Sequence, residues 1–219
     1  KLVTGVQTCA LPILCARPAA YQERENRLVL DSVAQHNGAI SWSMKKASDV
    51  QACGATLSRT NYVAENWLPA IVPGTVLGSL VYNKVYPAPD YGLNNKKTQK
   101  IIPDLNDVGR DFYTYWFRTT VDLPVAYAGK TVWLRADGIN YRSEIWINGK
   151  LAFCTAGMFC QEFVNVTDYV FPGKANALAI KVLPVDVAGD TKLKAWGAAN
   201  NEFRNGGDGE IGKNVTMLM

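Results

Sequence analysis

The side chains able to do chemistry are few in this chain, and their spacing decides what they can do. There is a single histidine, His36, in a polar stretch. A zinc site or a Ser/His/Asp triad needs more partners than one imidazole supplies. The five cysteines, Cys9, Cys15, Cys53, Cys154 and Cys160, fit no metal-ligand spacing. Cys154 and Cys160 can approach across a bend, although two thiols on a strand and its exit are more often unpaired. Glu65, Glu144, Glu162, Glu202 and Glu210 are the obvious carboxylates. Nothing in the pattern places two of them in the opposed environments that a general acid and base require. No catalytic residue, metal ligand or cofactor is therefore expected. A different chemistry sits in Tyr86–Asn95, YPAPDYGLNN, a loop stiffened by two prolines. It presents Tyr91, Asn94 and Asn95. An aromatic face suits the C–H face of a sugar, and amides suit its hydroxyls. The same residues would equally serve an Asx-type turn in which the asparagines bond their own backbone.

Composition narrows the classes. With 219 residues, the chain suits one β-rich domain with tails, or at most two small domains. Hydrophobic residues make up 48% and charged residues 19%, enough apolar material for a core without staples. The net charge of +4 is scattered, and Lys45-Lys46 and Lys96-Lys97 are pairs rather than a patch. A nucleic-acid partner is not expected, nor is a membrane.

The elements that must position these residues are mostly strands. In Thr131–Lys150, Val132, Leu134 and Ala136 alternate with Trp133, Arg135 and Asp137. After Gly138, Glu144, Trp146 and Asn148 alternate with Ile145 and Ile147. This predicts a hairpin with an extra corner at Asn140, Tyr141 and Arg142 between its strands, followed by the two-residue turn Asn148-Gly149. Ala39–Lys46 alternates Ile40, Trp42 and Met44 and reads as the first strand, with Val50–Leu57 as a short second one. Pro73-Gly74 must turn, and Thr75 can cap a short helix through Leu77, Leu80 and Val81. Lys96–Arg110 reads as a polar linker. Asp111–Leu123, Phe163–Thr167 and Ala177–Leu183 are further strands, while Leu14–Asn37 is weakly helical.

Several of these stretches resemble one family. "L-x-x-x-G-I-N-Y-x-x-x-I-W-I-N-G-K", from Leu134 to Lys150, looks like the N-terminal sugar-binding domain of glycoside hydrolase family 2. From Trp67 to Asn95, "W-x-x-A-x-V-P-G-T-V-L-x-x-L-V-x-N-x-V-x-P-x-P-x-Y-G-L-N-N" resembles the branch holding exo-β-glucosaminidases, β-mannosidases and mannosylglycoprotein endo-β-mannosidases. GRDFYTYWF and GGDGEIGK look similar to the same branch. Asn165 stands where aspartate is usual, which puts a local turn contact in doubt.

The resemblance implies an all-β, jelly-roll β-sandwich, galactose-binding-domain-like, with short helical segments and truncated at its C-terminus. It covers residues 39–219, with 14–38 as a lead-in. It implies a retaining mechanism with two glutamates about 5 Å apart, carried on a (β/α)8 barrel beyond this domain. The partners would be a β-linked oligosaccharide or glycan and the barrel of the same parent chain. Tyr91, Asn94 and Asn95 would face the sugar, with Glu210 a further candidate, and Tyr141 and Arg142 would contact the barrel. The alternative is a stand-alone carbohydrate-binding module without catalysis. Val3–Ile13, VTGVQTCALPI, resembles a translated sequencing-library adaptor. Lys1–Ile13 is accordingly expected to be disordered, and the compartment stays open. Asn165-Val166-Thr167 and Asn214-Val215-Thr216 are N-glycosylation sequons, meaningful only in a secreted chain.

Overall fold

The structure is a computed structural model. It describes residues 27–32, 41–157, 160–184 and 217–218. Its strands in chain order are β1 (Trp42–Lys46), β2 (Leu68–Pro69), β3 (Gly74–Thr75), β4 (Tyr115–Asp122), β5 (Trp133–Ala136), β6 (Ile139–Asn140), β7 (Arg142–Ile147), β8 (Lys150–Ala156), β9 (Glu162–Asn165), β10 (Ala175–Leu183) and β11 (Met217–Leu218). Three short α-helices join them: α1 (Gly54–Leu57), α2 (Val76–Tyr82) and α3 (Leu105–Val108). β2-β1-β4-β10-β7-β8 form an antiparallel six-stranded sheet, and β3-β11-β6 and β5-β9 form the smaller ladders of the sandwich.

Alternation along the strands sorts the residues between faces. Met44, Phe117, Ile145, Ile180 and Val182 point inward and meet Val132, Ala136, Ile139, Val164 and Val166 from the smaller ladders. The outer face of the large sheet is covered too. There Trp116, Ala179 and Trp146 pack against Leu57, Tyr62 and Trp67. Arg118 is buried on that face, donating from Nε to the Leu57 carbonyl at 2.9 Å and from Nη2 to the Arg59 carbonyl at 3.0 Å. Its guanidinium lies 5.6 Å from the Tyr62 ring centroid. The helix at Thr75 forms as expected: the Thr75 hydroxyl accepts from the Gly78 N–H at 2.8 Å and caps α2.

Two expectations need correction. Val50–Leu57 is not a strand: its second half is α1. The reason lies far away in sequence. Gly54 is pressed on the Trp146 indole so closely that a Cβ there would stand 2.4 Å from the ring. A helical turn brings that bare backbone to the ring, and Ser58 closes it by donating to the Gly54 carbonyl at 2.8 Å. Nor does Thr131–Lys150 form one hairpin. β5 pairs with β9, whereas β7 pairs with β10 and β8. The corner at Asn140-Tyr141 carries the chain from one layer to the other. Asn148-Gly149 does turn as expected, with φ of 49° and 87°, but it joins β7 to β8.

Candidate functional site

The register of the large sheet gives the sandwich two dissimilar ends. At one end Leu178 faces Ile147, next to the Asn148-Gly149 turn. This end is tied shut. Asn148 Nδ2 donates to the Tyr169 carbonyl at 2.8 Å and to Asn176 Oδ1 at 2.7 Å, and Asn148 Oδ1 accepts from the Ala177 N–H at 3.0 Å. Asn176 Nδ2 donates to the carbonyls of Phe171 and Lys174. The Gly149 N–H donates to Ser58 Oγ at 3.0 Å. Every one of these groups is spent on holding chain to chain.

At the other end Lys46 faces Tyr115, Tyr115 faces Val182, Leu183 faces Arg142 and Arg142 faces Ala156. The Tyr141 N–H donates to the Leu183 carbonyl and its carbonyl accepts from Gly157, each at 2.9 Å. Arg142 stacks over the Tyr141 ring with its guanidinium carbon 5.7 Å from the centroid, both residues half-buried. Arg110 reaches the Pro184 carbonyl at 3.0 Å. Beneath lie three phenols. Burial pushes Tyr113 well above its ordinary range and Tyr115 up to about 12, and the nearby Tyr86 adds to both. These groups stay neutral at ordinary pH, and Tyr113 donates to the Pro103 carbonyl.

Tyr86 opens the loop that carries the candidate sugar-facing residues, so that loop starts at this end. Tyr91 is 78% exposed, its ring open to solvent. Asn94 donates from Nδ2 to the Ala88 carbonyl at 2.9 Å, and its N–H donates to the Tyr91 carbonyl at 3.2 Å. The turn use of Asn94 is therefore real, but it spends one of two amide donors. Asn95 is half-buried beside it. One loop thus carries Tyr91, Asn94 and Asn95, with the Tyr91 ring exposed, both asparagines half-buried and the Asn95 Oδ1 buried. Glu210 lies outside the described residues, as do Lys1–Ile13, His36 and the GGDGEIGK stretch.

The described glutamates stay apart. Glu65 is exposed. Glu144 sits on the outer face, accepting from Trp146 Nε1 at 3.1 Å and standing 3.8 Å from Lys181 Nζ. Glu162 is buried on β9 in the other layer, and burial raises its carboxyl above the usual range. Among the described residues no group of three or more His, Cys, Asp or Glu gathers where one metal ion would sit. No described helix is long and apolar enough to cross a membrane. Cys154 and Cys160, whose pairing the sequence left open, are both disulfide-bonded. Spacing along a strand and its exit says nothing of how close the returning chain brings a sulfur. Arg118 and Asn176, which hold the outer face and the closed end, were not singled out by the sequence. The one hint was the arginine that ends the aromatic run YWFR.

The layered antiparallel sheets define a β-sandwich. Comparison makes the family plain. The model described as "Glycosyl hydrolase 2 galactose-binding domain-like" matches residues 42–211, and the chain belongs to that family. It is 35% identical over 177 residues to the mannosylglycoprotein endo-β-mannosidase of Lilium longiflorum, covering 80% of this chain and 17% of that enzyme. Among solved structures, the exo-chitosanase CsxA of Amycolatopsis orientalis shares the fold with a TM-score of 0.56 at 21% identity, over 69% of this chain and 17% of that one. A complex of a variant of that enzyme with PNP-β-D-glucosamine gives a TM-score of 0.55 at 19% identity, with the same coverage. The chain therefore spans about a sixth of the length of these proteins (17%).

Proposed function

We propose that this domain forms one wall of the substrate cleft of a retaining glycoside hydrolase. It packs on a (β/α)8 barrel of the same parent chain, and that barrel carries both catalytic glutamates. The substrate is a β-mannoside or a β-glucosaminide within a glycan. The reading rests chiefly on the 35% identity to an endo-β-mannosidase over 80% of this chain. The loop that begins at Tyr86 supports it, because it carries the exposed Tyr91 ring beside two half-buried asparagines.

In this reading Tyr91 stacks on a sugar ring, Asn94 and Asn95 bind its hydroxyls, and Glu210 adds an acceptor. Tyr141 and Arg142, stacked on each other, make the barrel contact. The domain performs no proton transfer. It orients the glycan, so that the barrel's carboxylates meet the glycosidic bond in productive geometry. A lost neutral hydrogen bond costs about 0.5–1.5 kcal/mol, or roughly 2- to 12-fold. Asn95→Ala in the complete parent enzyme should lower kcat/KM by about that factor. An unchanged kcat/KM removes Asn95 from the site.

A further inference from the structure

We propose that Asn165 is an acceptor for an N-linked glycan. The sequon Asn165-Val166-Thr167 lies at the outer end of β9, with both Asn165 and Thr167 exposed. Its geometry goes beyond the sequence match. Asn165 Oδ1 accepts from the Thr167 N–H at 3.1 Å and from the Thr167 hydroxyl at 2.6 Å. The hydroxyl oxygen in turn accepts from the Val132 N–H at 2.9 Å. The oxygen of the side-chain amide is thus fully used in the turn, while Nδ2 has no hydrogen-bond partner among the described residues. An aspartate would make the same two turn contacts. The nitrogen is surplus to the fold, and it faces solvent.

A second observation bears on the compartment. Cys154 and Cys160 are both disulfide-bonded, and disulfides persist where the surroundings are oxidising, as in the secretory route where glycans are attached. Transfer would form a bond from Asn165 Nδ2 to the anomeric carbon of a lipid-diphosphate-linked oligosaccharide. The bond from that carbon to the diphosphate oxygen breaks, the lipid diphosphate leaves with the electron pair, and one amide proton passes to solvent. No oxidant or reductant is needed. The attached glycan projects from the end of a two-stranded ladder and displaces no core side chain.

The test uses the complete parent chain, secreted from a eukaryotic host and carrying an appended flexible tag with its own sequon. Peptides are treated with a glycan-removing amidase in heavy-oxygen water, which marks each occupied asparagine as a labelled aspartate. The expected result is label at Asn165, lost in N165D, with the melting temperature and activity of N165D unchanged. N165D keeps the turn's acceptor, so a folding defect does not confuse the reading, and site-resolved peptides separate Asn165 from Asn214. Unlabelled Asn165 in protein whose tag sequon is occupied would overturn the proposal.

Discussion

Replacing Gly54 with alanine tests how the outer face of the large sheet is built. A Cβ at Gly54 would lie 2.4 Å from Trp146 Cε2 and 2.5 Å from both Cδ2 and Nε1. Carbon atoms rest at about 3.5–4 Å, so helix or ring must retreat by roughly 1 Å. The ring is not a loose end. It is clamped between Leu57, Trp116 and Ala179, and its N–H is committed to Glu144 at 3.1 Å. Forcing an extra methyl into such a site costs about 1–3 kcal/mol, while the lost backbone freedom of glycine in the unfolded chain returns roughly 0.4–1 kcal/mol. The expected net loss is about 1–2 kcal/mol, seen in urea unfolding followed by circular dichroism as a lower midpoint with an unchanged slope. The diagnostic step is the cycle with W146L, which vacates the space. In that background Gly54→Ala should be neutral or slightly stabilising, a coupling of about 1–3 kcal/mol. An equal loss in both backgrounds would refute the contact as the reason α1 exists.

Two further outcomes follow from buried titratable groups. Tyr115 has its phenol raised from 10 to about 12, chiefly by burial. A raised folded value means the stabilisation is complete below the unfolded value and is lost as pH climbs through the folded one. From neutral pH up to pH 10 unfolding midpoints should therefore be level, then fall steeply toward pH 12, and Y115F should flatten that fall; an unchanged slope in Y115F would assign the loss to other groups. Glu162 is buried with its carboxyl raised above 4.5 by burial. Its stabilising neutral form is present at acid pH and lost as pH rises, so Glu162→Gln should raise the melting temperature at pH 7 and leave it nearly unchanged at acid pH. A lower melting temperature at pH 7 would show that the ionised carboxylate is held by a partner.

Much of the scaffold was legible because a strand between two environments writes both into its pattern. β1, β4, β7 and β10 stand where alternation places them, and Thr75 caps the helix it should. What alternation cannot carry is the choice of partner. β5 and β7 look like the arms of one hairpin because they are adjacent in sequence and each alternates. They separate because Ala136 has its place opposite Glu162 on β9, while Ile145 has its place opposite Ile180 and Phe153. α1 escaped notice for the same reason: its cause is an indole contributed by β7. The doubt about the turn at Asn165 resolves on an oxygen that asparagine and aspartate share.

The site was legible to a different depth. Pattern alone left Tyr91, Asn94 and Asn95 between sugar binding and turn building, and the structure shows why both readings arose. The Asn94 amide closes the loop at Ala88 and so stiffens the platform on which Tyr91 stands exposed. A side chain that orders its own loop lowers the entropic cost of presenting its neighbours to a ligand. The contrast between the two ends of the sandwich could not be read at all. Asn148 and Asn94 are both asparagines in loops, yet one is locked among Tyr169, Asn176 and Ala177 while the other supports an open surface. Only the register of six strands decides which loop meets which, and it sets Asn148 and Arg142 at opposite ends.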